Sequence, residues 1–518
     1  MYVSGSLTVP TLLDQKAGLH PEKPCVIFED ANGGELSLSY AELADRVSRL
    51  ADALGVAGVR LGDNVALMMG NCVEFLIAWI AINRAGAVMV SVNVFYSADE
   101  LRYLLNHSES VAFISEPRFV SLFEEVSADC PSVKIRLIGR NAEPVSGFHS
   151  MADFIAFGSV DQPAVPVSAE AISQIVYTSG TTSRPKGVLI SHQSSIIQGV
   201  SISQTLGMRN DDRTCVVLPL FHVNGQYVGV LSTLAVGGTV VLLESYSATR
   251  FWQQVRRHQC TLISIVPMQL RTMLAQPVDP GDADHHVRVA FYALQTTDEE
   301  WDAFEARFGV RLVEGYGLSE TLGICTCNPL MLGGLKRHSI GLPVLGREIR
   351  VLDEDGREQV PGQAGRIMVR GEPLFSGYFR NPAATAEALR DGWLDTGDNG
   401  CFDADGYLHF LDRTKDIIKR AGENIAASEV ERVLNEHPMV AESAVIAVPD
   451  PLRDEAVKAF VVPVDGTSLD EAALHDWCAR HLSKFKVPSF YEFVPSLPKT
   501  SIGKIQKYIL KQGGSHVS

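Results

Sequence analysis

The sequence predicts an α/β fold: a large N-terminal domain of parallel sheets with flanking helices and a small β-barrel, then a small α+β C-terminal domain. The chain has 518 residues, enough for two or more domains. Helical patterns alternate with short apolar runs through about the first 400 residues, which is typical of parallel sheets covered by helices. From Gly341 onward tight turns join short strands, and the last part mixes helices with strands.

The hydrophobic pattern predicts the first elements in order. Apolar side chains recur at helical spacing in "SYAELADRVSRLADAL" and "CVEFLIAWIAINRAG", whereas "NVALMM" and "AVMVSVNV" are short apolar runs typical of buried strands. The most apolar segment, Phe75 to Val92, is interrupted by Asn83 and Arg84. We therefore predict a buried helix followed by a strand, and no membrane span.

The pattern of apolar runs and turn residues changes in the final third of the sequence. The segment "EIRVLDEDGREQVPGQAGRIMVRG" predicts strands joined by tight turns, as in a small barrel or antiparallel sheet. A strand over Tyr407 to Leu411 is followed by a charged joint, Asp412 to Lys415. We place the domain boundary there, giving domains 1–411 and 412–518.

The predicted C-terminal domain has about 100 residues, a usual size. It consists of a helix from Ala427 to Glu436, strands over "AESAVIAVPD" and "VKAFVVPV", a helix over "LDEAALHDWCARHLS" and a closing helix. We expect the two domains to meet across a cleft.

Composition excludes several classes of function. The net charge of −16 with no basic block argues against nucleic acid as a partner. The nine cysteines are scattered and only Cys325 and Cys327 are close together, which predicts no cysteine metal site and a reduced, cytoplasmic compartment. The N-terminus lacks a basic region followed by an apolar one, so no signal peptide is predicted.

The segment "YTSGTTSRPKGVLISH", Tyr177 to His192, lies between two apolar runs. Backbone amides at Gly180 and a lysine, Lys186, are suited to a phosphate. The hydroxyl groups that could join them belong to Thr178, Ser179, Thr181, Thr182 and Ser183. A plain connecting loop is the alternative.

This loop is not the common G-x-x-x-x-G-K-[ST] phosphate loop. Pro185 stands where that motif has its second glycine, and Gly187 stands where it has the magnesium-binding Ser or Thr. No good helix start follows Lys186. A magnesium ligand must therefore come from elsewhere in the chain.

Four further clusters carry candidate residues. Tyr316 and Glu320 lie in "EGYGLSETLG", where the ring could lie against a planar ligand and the carboxylate could bind Mg²⁺. Asp398 lies in "DGWLDTGDNG", Arg413 in the charged joint and Lys504 in "LPKTSIGKIQKYIL". Each cluster alone would also fit an ordinary turn or a solvated surface. All of them together, in this order along the chain, indicate a nucleotide-binding site much more specifically.

These motifs together resemble the acyl-adenylate-forming (AMP-binding) superfamily, which includes acyl-CoA ligases, peptide-synthetase adenylation domains and firefly luciferase. Within it, "FEARFGVRL", "RDEAVKAFVV" and "KFKVPSF" are most similar to the carnitine/crotonobetaine-CoA ligase branch. The resemblance implies an acyl-CoA ligase using ATP, Mg²⁺ and coenzyme A: a carboxylic acid becomes an acyl-adenylate, and CoA then takes the acyl group.

The resemblance also implies the nucleotide site. The segment Thr178 to Gly187 would hold the β- and γ-phosphates, with the positive charge on Lys186. The remaining roles are Tyr316 on adenine beside Gly317, Ser319 near phosphate, Glu320 on Mg²⁺, Asp398 on the ribose hydroxyls, Arg413 on the ribose or phosphate region, and Lys504 bridging the carboxylate and the α-phosphate.

The same resemblance assigns the other substrates. The acyl pocket would be formed by His222, Val223, Leu294, Gly315, Gly317 and Gly323. Coenzyme A would pass Gly422, with Lys419 and Glu423 nearby. The C-terminal domain would be mobile and rotate between the two steps about Lys415. A homodimer is left open.

Two departures from the family pattern stand out. Relatives have Ser-Gly-Gly-Ala-Pro-Leu-Ser where this chain has Phe291 to Thr297, so Tyr292 and Leu294 are expected to add bulk near the nucleotide or acyl site. Ala421 stands where a glycine is usual, beside the predicted CoA path.

Alternatives remain open at this point. The enzyme could thioesterify only a preformed acyl-adenylate, could load a carrier protein, or could be a non-catalytic adenylate-binding module. The acid is also open: no carboxylate or aromatic cage for a trimethylammonium group can be identified from the sequence, so a bulky acid of secondary metabolism is another option.

Overall fold

A computed structural model describes most of the chain. It describes residues 7–140, 143–160, 165–178, 185–293, 296–330, 334–413, 416–420, 423–450, 454–467, 469–482, 486–499 and 505–511. Within these ranges, no helix is both long enough and apolar enough to cross a membrane.

The described part of the chain contains the following strands. They are β1 (Pro24–Glu29), β2 (Glu35–Ser39), β3 (Asn64–Met68), β4 (Val88–Ser91), β5 (Ala112–Ser115), β6 (Ile135–Ile138), β7 (His149–Ser150), β8 (Ile172–Thr178), β9 (Lys186–Ser191), β10 (Arg213–Val216), β11 (Thr239–Leu243), β12 (Leu262–Ile265), β13 (Val289–Tyr292), β14 (Leu312–Tyr316), β15 (Thr326–Cys327), β16 (Leu342–Pro343), β17 (Glu348–Leu352), β18 (Gly365–Arg370), β19 (Gly377–Tyr378), β20 (Leu389–Arg390), β21 (Trp393–Phe402), β22 (Leu408–Arg413), β23 (Ile417–Arg420), β24 (Glu423–Ala426), β25 (Val440–Asp450), β26 (Asp454–Pro463) and β27 (Phe490–Phe493).

Helices alternate with these strands. They are α1 (Val9–Leu19), α2 (Tyr40–Ala57), α3 (Val73–Arg84), α4 (Ala98–Ser108), α5 (Val120–Ser127), α6 (Met151–Phe157), α7 (His192–Thr205), α8 (Ser232–Val236), α9 (Phe251–Arg257), α10 (Pro267–Leu274), α11 (Asp298–Phe308), α12 (Pro382–Ala388), α13 (Ala427–Asn435), α14 (Glu471–His481) and α15 (Lys507–Lys511), with a 3₁₀ turn (Pro117–Phe119) and a π-helix (Asn224–Leu231).

Two large sheets form the body of the molecule. One has nine strands in the order β16-β15-β14-β13-β12-β10-β11-β1-β2, and the other has eight in the order β19-β9-β8-β4-β3-β5-β6-β7. Their centres are parallel, as predicted, from β14 to β1 and from β8 to β7. Their edges are antiparallel, because short connections such as the one between β1 and β2 cannot join parallel strands.

Three apolar clusters hold these sheets between helices. The largest contains buried side chains from both sheets and from α2, α3 and α7, so these helices fill the space between the sheets. A second packs α9, α10 and α11 on the outer face of the nine-stranded sheet. A third packs α4 and α5 on the outer face of the eight-stranded sheet. The predicted α/β class is confirmed.

Local sequence signals set the ends of several helices. Ser39 caps α2 by accepting from the Glu42 amide (3.2 Å), while the Glu42 carboxylate accepts from the Ser39 amide (2.7 Å). Gly58 ends the same helix with φ 113°, a conformation that glycine adopts without strain. The predicted buried helix and strand between Phe75 and Val92 are α3 and β4.

The region after Gly341 folds as a small antiparallel sheet. Its order is β17-β18-β21-β20, and β22 pairs with β21. Among the described residues β17 pairs with β18 and β22 with β21, and no pairing closes a ring. The predicted small barrel is therefore found as an open five-stranded sheet.

A small α+β unit follows, as predicted. Its strands run β24-β23-β26-β25, with β27 parallel to β26, and α13 and α14 pack on them. The helix expected to start at Ala427 does so and ends at Asn435, and the two expected strands are β25 and β26. The sequence did not predict the hairpin of β23 and β24. The domain boundary at 411/412 and the mobility of this unit stay predictions.

Candidate active site

The predicted phosphate loop closes the hairpin of β8 and β9. Thr178, the last residue of β8, pairs with Lys186, the first of β9. A strand rather than a helix follows the lysine, as the sequence predicted. The intervening candidates, Ser179, Gly180, Thr181 and Thr182, lie outside the described residues.

Two side chains of α4 hold the two ends of this loop. Nδ1 of His107 hydrogen-bonds with the hydroxyl of Tyr177 at 2.8 Å, and the hydroxyl of Tyr103 donates to the carbonyl oxygen of Pro185 at 3.2 Å. The rings of Tyr103 and His107 stack with centroids 5.2 Å apart. Because they are four residues apart on one helix, α4 anchors both ends of the loop at once.

Lys186 and Glu320 meet at a third residue, Tyr378. The Tyr378 hydroxyl donates to Oε1 of Glu320 at 2.8 Å, and Nζ of Lys186 lies 5.0 Å from the centroid of the Tyr378 ring. Tyr378 reaches this position because β19 pairs with β9, with Tyr378 opposite Val188. The lysine of one motif and the carboxylate of another therefore share one neighbour.

Tyr316 and Asp398 are also in contact. The Tyr316 hydroxyl donates to Oδ2 of Asp398 at 2.6 Å. Asp398 is buried on β21 and lies opposite Arg413 of β22, although the side chain of Arg413 lies outside the described residues. Tyr316 ends β14, so it reaches Asp398 from the carboxyl end of the last parallel strand of the nine-stranded sheet, and ligands of open α/β sheets bind at such carboxyl ends.

Both tyrosines stay protonated and act as hydrogen-bond donors. Burial raises the pKa of the Tyr316 phenol well above its usual range, and the neighbouring carboxylate of Asp398 raises it further. Burial also raises the pKa of Tyr378, with a second contribution from Glu320. Each carboxylate therefore receives a neutral O–H donor throughout the physiological pH range.

The arrangement around Glu320 suits a hard cation. One carboxylate oxygen accepts from Tyr378, and among the described residues no cation pairs with Glu320 and no donor reaches its other oxygen. A hydrogen-bonded carboxylate with one open oxygen, which shares Tyr378 as a neighbour with Lys186, fits the way Mg²⁺ binds with a nucleotide.

The predicted acyl residues form a second group close by. His222 and Val223 precede the π-helix, and Gly323 approaches them: a Cβ on Gly323 would lie 3.7 Å from the carbonyl oxygen of Val223. A Cβ on Gly315 would lie 2.7 Å from the ring of Phe291. Glycine at these positions keeps the backbone close to its neighbours.

Gly317 and Ser319 complete the described part of this loop. A side chain on Gly317 would overlap the carbonyl oxygen of Gly323, so this turn requires glycine. Ser319 is partly exposed after β14. Leu294, the remaining acyl candidate, lies outside the described residues.

His222, one of the predicted acyl residues, is a neutral group. Burial lowers its pKa to about 4, and its Nε2 atom is buried with no hydrogen-bond partner. Its ring lies 4.6 Å from that of Phe221, which in turn contacts Phe95 edge-on at 6.2 Å. A neutral imidazole therefore lies next to Phe221, which is itself in contact with Phe95.

The expectation that Tyr292 crowds a ligand site is wrong. Tyr292 is fully buried and packs edge-on against Trp301, 6.4 Å away, in the cluster beneath α9, α10 and α11. Phe291 points to the opposite face, because successive side chains alternate across a strand. The ring of Tyr292 therefore lies against the outer helix layer. It gives no reason to consider an enzyme that catalyses only the thioester-forming step.

Two of the predicted coenzyme A residues lie on paired strands. Lys419 is in β23 and Glu423 in β24, which pair antiparallel, although their side chains lie outside the described residues. Gly422, Ala421, the hinge residue Lys415 and Lys504 also lie outside the described residues. Their roles stay predictions.

Sequence reasoning missed three residues of this site: Tyr378, Tyr103 and His107. Each acts through a contact between distant segments. The only local signal was the aromatic spacing of Tyr103 and His107, which also fits an ordinary core helix.

Comparison with known proteins decides the family. The family model "AMP-binding enzyme" matches residues 13–379, and "AMP-binding enzyme C-terminal domain" matches residues 429–504. The chain belongs to the AMP-binding enzyme family.

Individual members of this family resemble the chain over nearly its whole length. It is 38% identical to a crotonobetaine/carnitine–CoA ligase of Proteus mirabilis over 98% of this chain and 99% of the relative. The anthranilate CoA ligase AuaEII in complex with anthranoyl-AMP has a TM-score of 0.89 at 26% identity, covering 98% of this chain and 97% of that one. ATP-bound MatB from Rhodopseudomonas palustris has a TM-score of 0.88 at 30% identity, covering 98% and 99%.

As an AMP-binding enzyme, the protein is an acid–thiol ligase. It activates a carboxylic acid with ATP to an acyl-adenylate and transfers the acyl group to coenzyme A. The resemblance to the carnitine/crotonobetaine branch, inferred from short sequence segments, is confirmed by the full-length identity.

Proposed function

We propose that Lys186, Glu320, Tyr316 and Asp398 form the adenylation site. The observation that carries this proposal is a set of three contacts linking three separate motifs. Tyr378 contacts both Lys186 and Glu320, and Tyr316 donates a hydrogen bond to Asp398. Lys186 would bind the β- and γ-phosphates, Tyr316 would face the adenine, and Asp398 would accept the ribose hydroxyls.

In the first step, a carboxylate oxygen of the acid attacks the α-phosphorus of ATP and pyrophosphate leaves. The ammonium of Lys186 offsets the negative charge that grows on the leaving phosphates, which a preorganised charge does without reorganisation. When bound by Glu320, Mg²⁺ would neutralise further phosphate charge. Lys504 would bridge the carboxylate and the α-phosphate.

In the second step, the sulfur of coenzyme A attacks the acyl carbon, the thiol proton is released and AMP leaves. Lys419, Gly422 and Glu423 would border the path of the pantetheine, and rotation about Lys415 would bring their hairpin to the adenylate. Neither step requires a covalent bond to the enzyme, so the cysteines need no catalytic role.

We further propose that the acid carries a quaternary ammonium group, as crotonobetaine and carnitine do. The full-length relative with 38% identity carries that name. Among the described residues, Phe221 lies beside His222, and the exposed ring of Phe95 contacts Phe221 edge-on. Aromatic faces bind quaternary ammonium groups, so the exposed ring of Phe95 would offer such a face to the substrate.

A panel of acids tests this assignment. Crotonobetaine, carnitine, crotonate, benzoate and anthranilate would be compared by acyl-CoA formation, and we expect the highest kcat/KM for crotonobetaine or carnitine. Phe95→Leu should raise KM for crotonobetaine by about 3–5-fold, the size of a partly exposed cation–π contact, and leave crotonate unchanged. Preference for a neutral aromatic acid would overturn the proposal.

The remaining predictions concern the cellular location and the oligomeric state of the protein. We propose a cytoplasmic protein. The homodimer stays open, and sedimentation of the pure protein would test it.

A further inference from the structure

Tyr378 lies between Glu320, the residue assigned to Mg²⁺, and Lys186, the residue assigned to the phosphates of ATP. Its hydroxyl donates to Oε1 of Glu320 at 2.8 Å, and its ring faces Nζ of Lys186 at 5.0 Å. One side chain thus offers a hydrogen bond to the proposed metal ligand and a π face to the proposed phosphate ligand.

The structure holds Tyr378 firmly. Its backbone is paired with Val188 of β9, and its amide donates to Oγ1 of Thr385 at 2.9 Å. Its ring packs edge-on against Phe375, 5.0 Å away, and the residue is only 9% exposed. A side chain restrained on these sides can fix the orientation of what it touches.

Glu320 depends on this neighbour for its orientation. Its backbone oxygen accepts from the amide of Phe375 at 2.9 Å, but among the described residues the hydroxyl of Tyr378 is the donor to its carboxylate. Carboxylates that bind metals are usually oriented by such an outer hydrogen bond.

We infer that Tyr378 is a positioning residue for adenylation: its hydroxyl orients Glu320 for Mg²⁺, and its ring holds the ammonium of Lys186 at the phosphate site. This inference rests on the proposed roles of Glu320 and Lys186. It adds a residue that none of the five sequence motifs contains, and it divides the effects of Tyr378 between two separable groups, the hydroxyl and the ring.

Two variants separate these groups. Tyr378→Phe removes the hydroxyl and keeps the ring, so the Mg²⁺ concentration for half-maximal pyrophosphate release should rise about 10–100-fold. Binding of Mg·ATP measured by calorimetry should weaken, while ATP binding in EDTA stays unchanged. Tyr378→Leu removes the ring as well and should also weaken ATP binding in EDTA. Thioester formation from supplied acyl-adenylate should be unaffected in both variants.

The chain contains a matched control. The Tyr407 hydroxyl donates to the carbonyl oxygen of Gly334 at 2.6 Å, and Nζ of Lys336 lies 5.2 Å from its ring, which repeats the local arrangement without Glu320 or Lys186. Tyr407→Phe should leave the Mg²⁺ dependence unchanged. A Tyr378→Phe variant that behaves like Tyr407→Phe, or that loses both half-reactions equally, would overturn the inference.

Glu320→Gln distinguishes failure of the inference from failure of the proposed site. If Glu320→Gln leaves the Mg²⁺ dependence of calorimetric Mg·ATP binding unaltered, the metal assignment of Glu320 is itself wrong. If Glu320→Gln shifts that dependence and Tyr378→Phe does not, only the positioning role of Tyr378 is overturned.

Discussion

The hydroxyl of Tyr316 donates to Oδ2 of Asp398 across 2.6 Å, so the residue assigned to adenine orients the residue assigned to ribose. The bond restrains both partners before any nucleotide binds. Only the phenol end takes part in this bond, while the ring of Tyr316 packs near that of Phe410, with centroids 6.0 Å apart. The adenosine part of the proposed site is therefore preorganised, which lowers the entropic cost of binding.

Loss of either partner of this bond should weaken the use of ATP. Asp398→Ala removes the ribose acceptor and should raise KM for ATP at least about tenfold. Tyr316→Phe keeps the ring and loses only a hydrogen bond to a charged group, worth about 1.5–3 kcal/mol, so KM for ATP should rise about 10–150-fold. Pyrophosphate release measures both. An unchanged KM for ATP in Asp398→Ala would exclude the ribose role.

The anchors of the phosphate loop should affect only the step that involves pyrophosphate. Tyr103→Phe removes the bond to Pro185, and Tyr177→Phe removes the bond to His107. Each should raise KM for ATP about fivefold, the equivalent of about 1 kcal/mol, and the double variant should show a larger loss. Thioester formation from supplied acyl-adenylate is the internal control. Equal losses in both half-reactions would indicate a general packing role.

Gly317 should not tolerate a methyl group. A Cβ there would meet the backbone of Gly323 and Ile324, which cannot move as a flexible side chain would. Gly317→Ala should lower the melting temperature and abolish adenylation. Gly55→Ala is the matched control, because nothing lies within 4 Å of a Cβ at that position in α2; it should keep full activity and stability.

Glu314 predicts a pH dependence of stability. It is buried on β14, and burial raises its pKa to about 8, so the folded state keeps a proton that the unfolded state releases near the ordinary value of 4.5. A raised carboxyl pKa stabilises the fold at low pH, and that contribution is lost as the pH rises from 4.5 to 8.

Glu314→Gln removes this titration. The free energy of unfolding, measured by urea denaturation, should therefore fall less steeply between pH 5 and pH 8 in the variant than in the wild-type protein, by an amount on the order of a few kcal/mol. Parallel pH profiles for the two proteins would show that Glu314 is ionised in the folded state.

The sequence predicted the α/β class and the chemical groups of the site because local signals specify them. Lys186, Glu320 and Asp398 stand in short motifs, so their chemical groups can be recognised from neighbouring residues alone. The helix α3 and the strand β4 follow from an apolar run that is interrupted at Asn83. Helix ends such as that of α2 are equally local, because the capping residues are neighbours in the chain.

Contacts between distant segments could not be read in this way. Tyr378 reaches Glu320 only because β19 pairs with β9, and nothing near Tyr378 in the sequence indicates that partner. Tyr292 was assigned to the wrong environment because its residue type was visible but the face of β13 on which it lies was not. A shift of one position along a strand exchanges the two faces, so register decides what a large side chain touches.

Product stoichiometry in the wild-type protein and in Lys186→Ala tests the central claim most directly. With ATP, Mg²⁺, coenzyme A and crotonobetaine, the wild-type protein should form one AMP and one pyrophosphate for each acyl-CoA. Lys186→Ala should lose pyrophosphate release at least about a hundredfold, the cost of one preorganised charge, and still convert supplied acyl-adenylate to thioester. Formation of ADP and phosphate by the wild-type protein, or full pyrophosphate release by Lys186→Ala, would contradict the account.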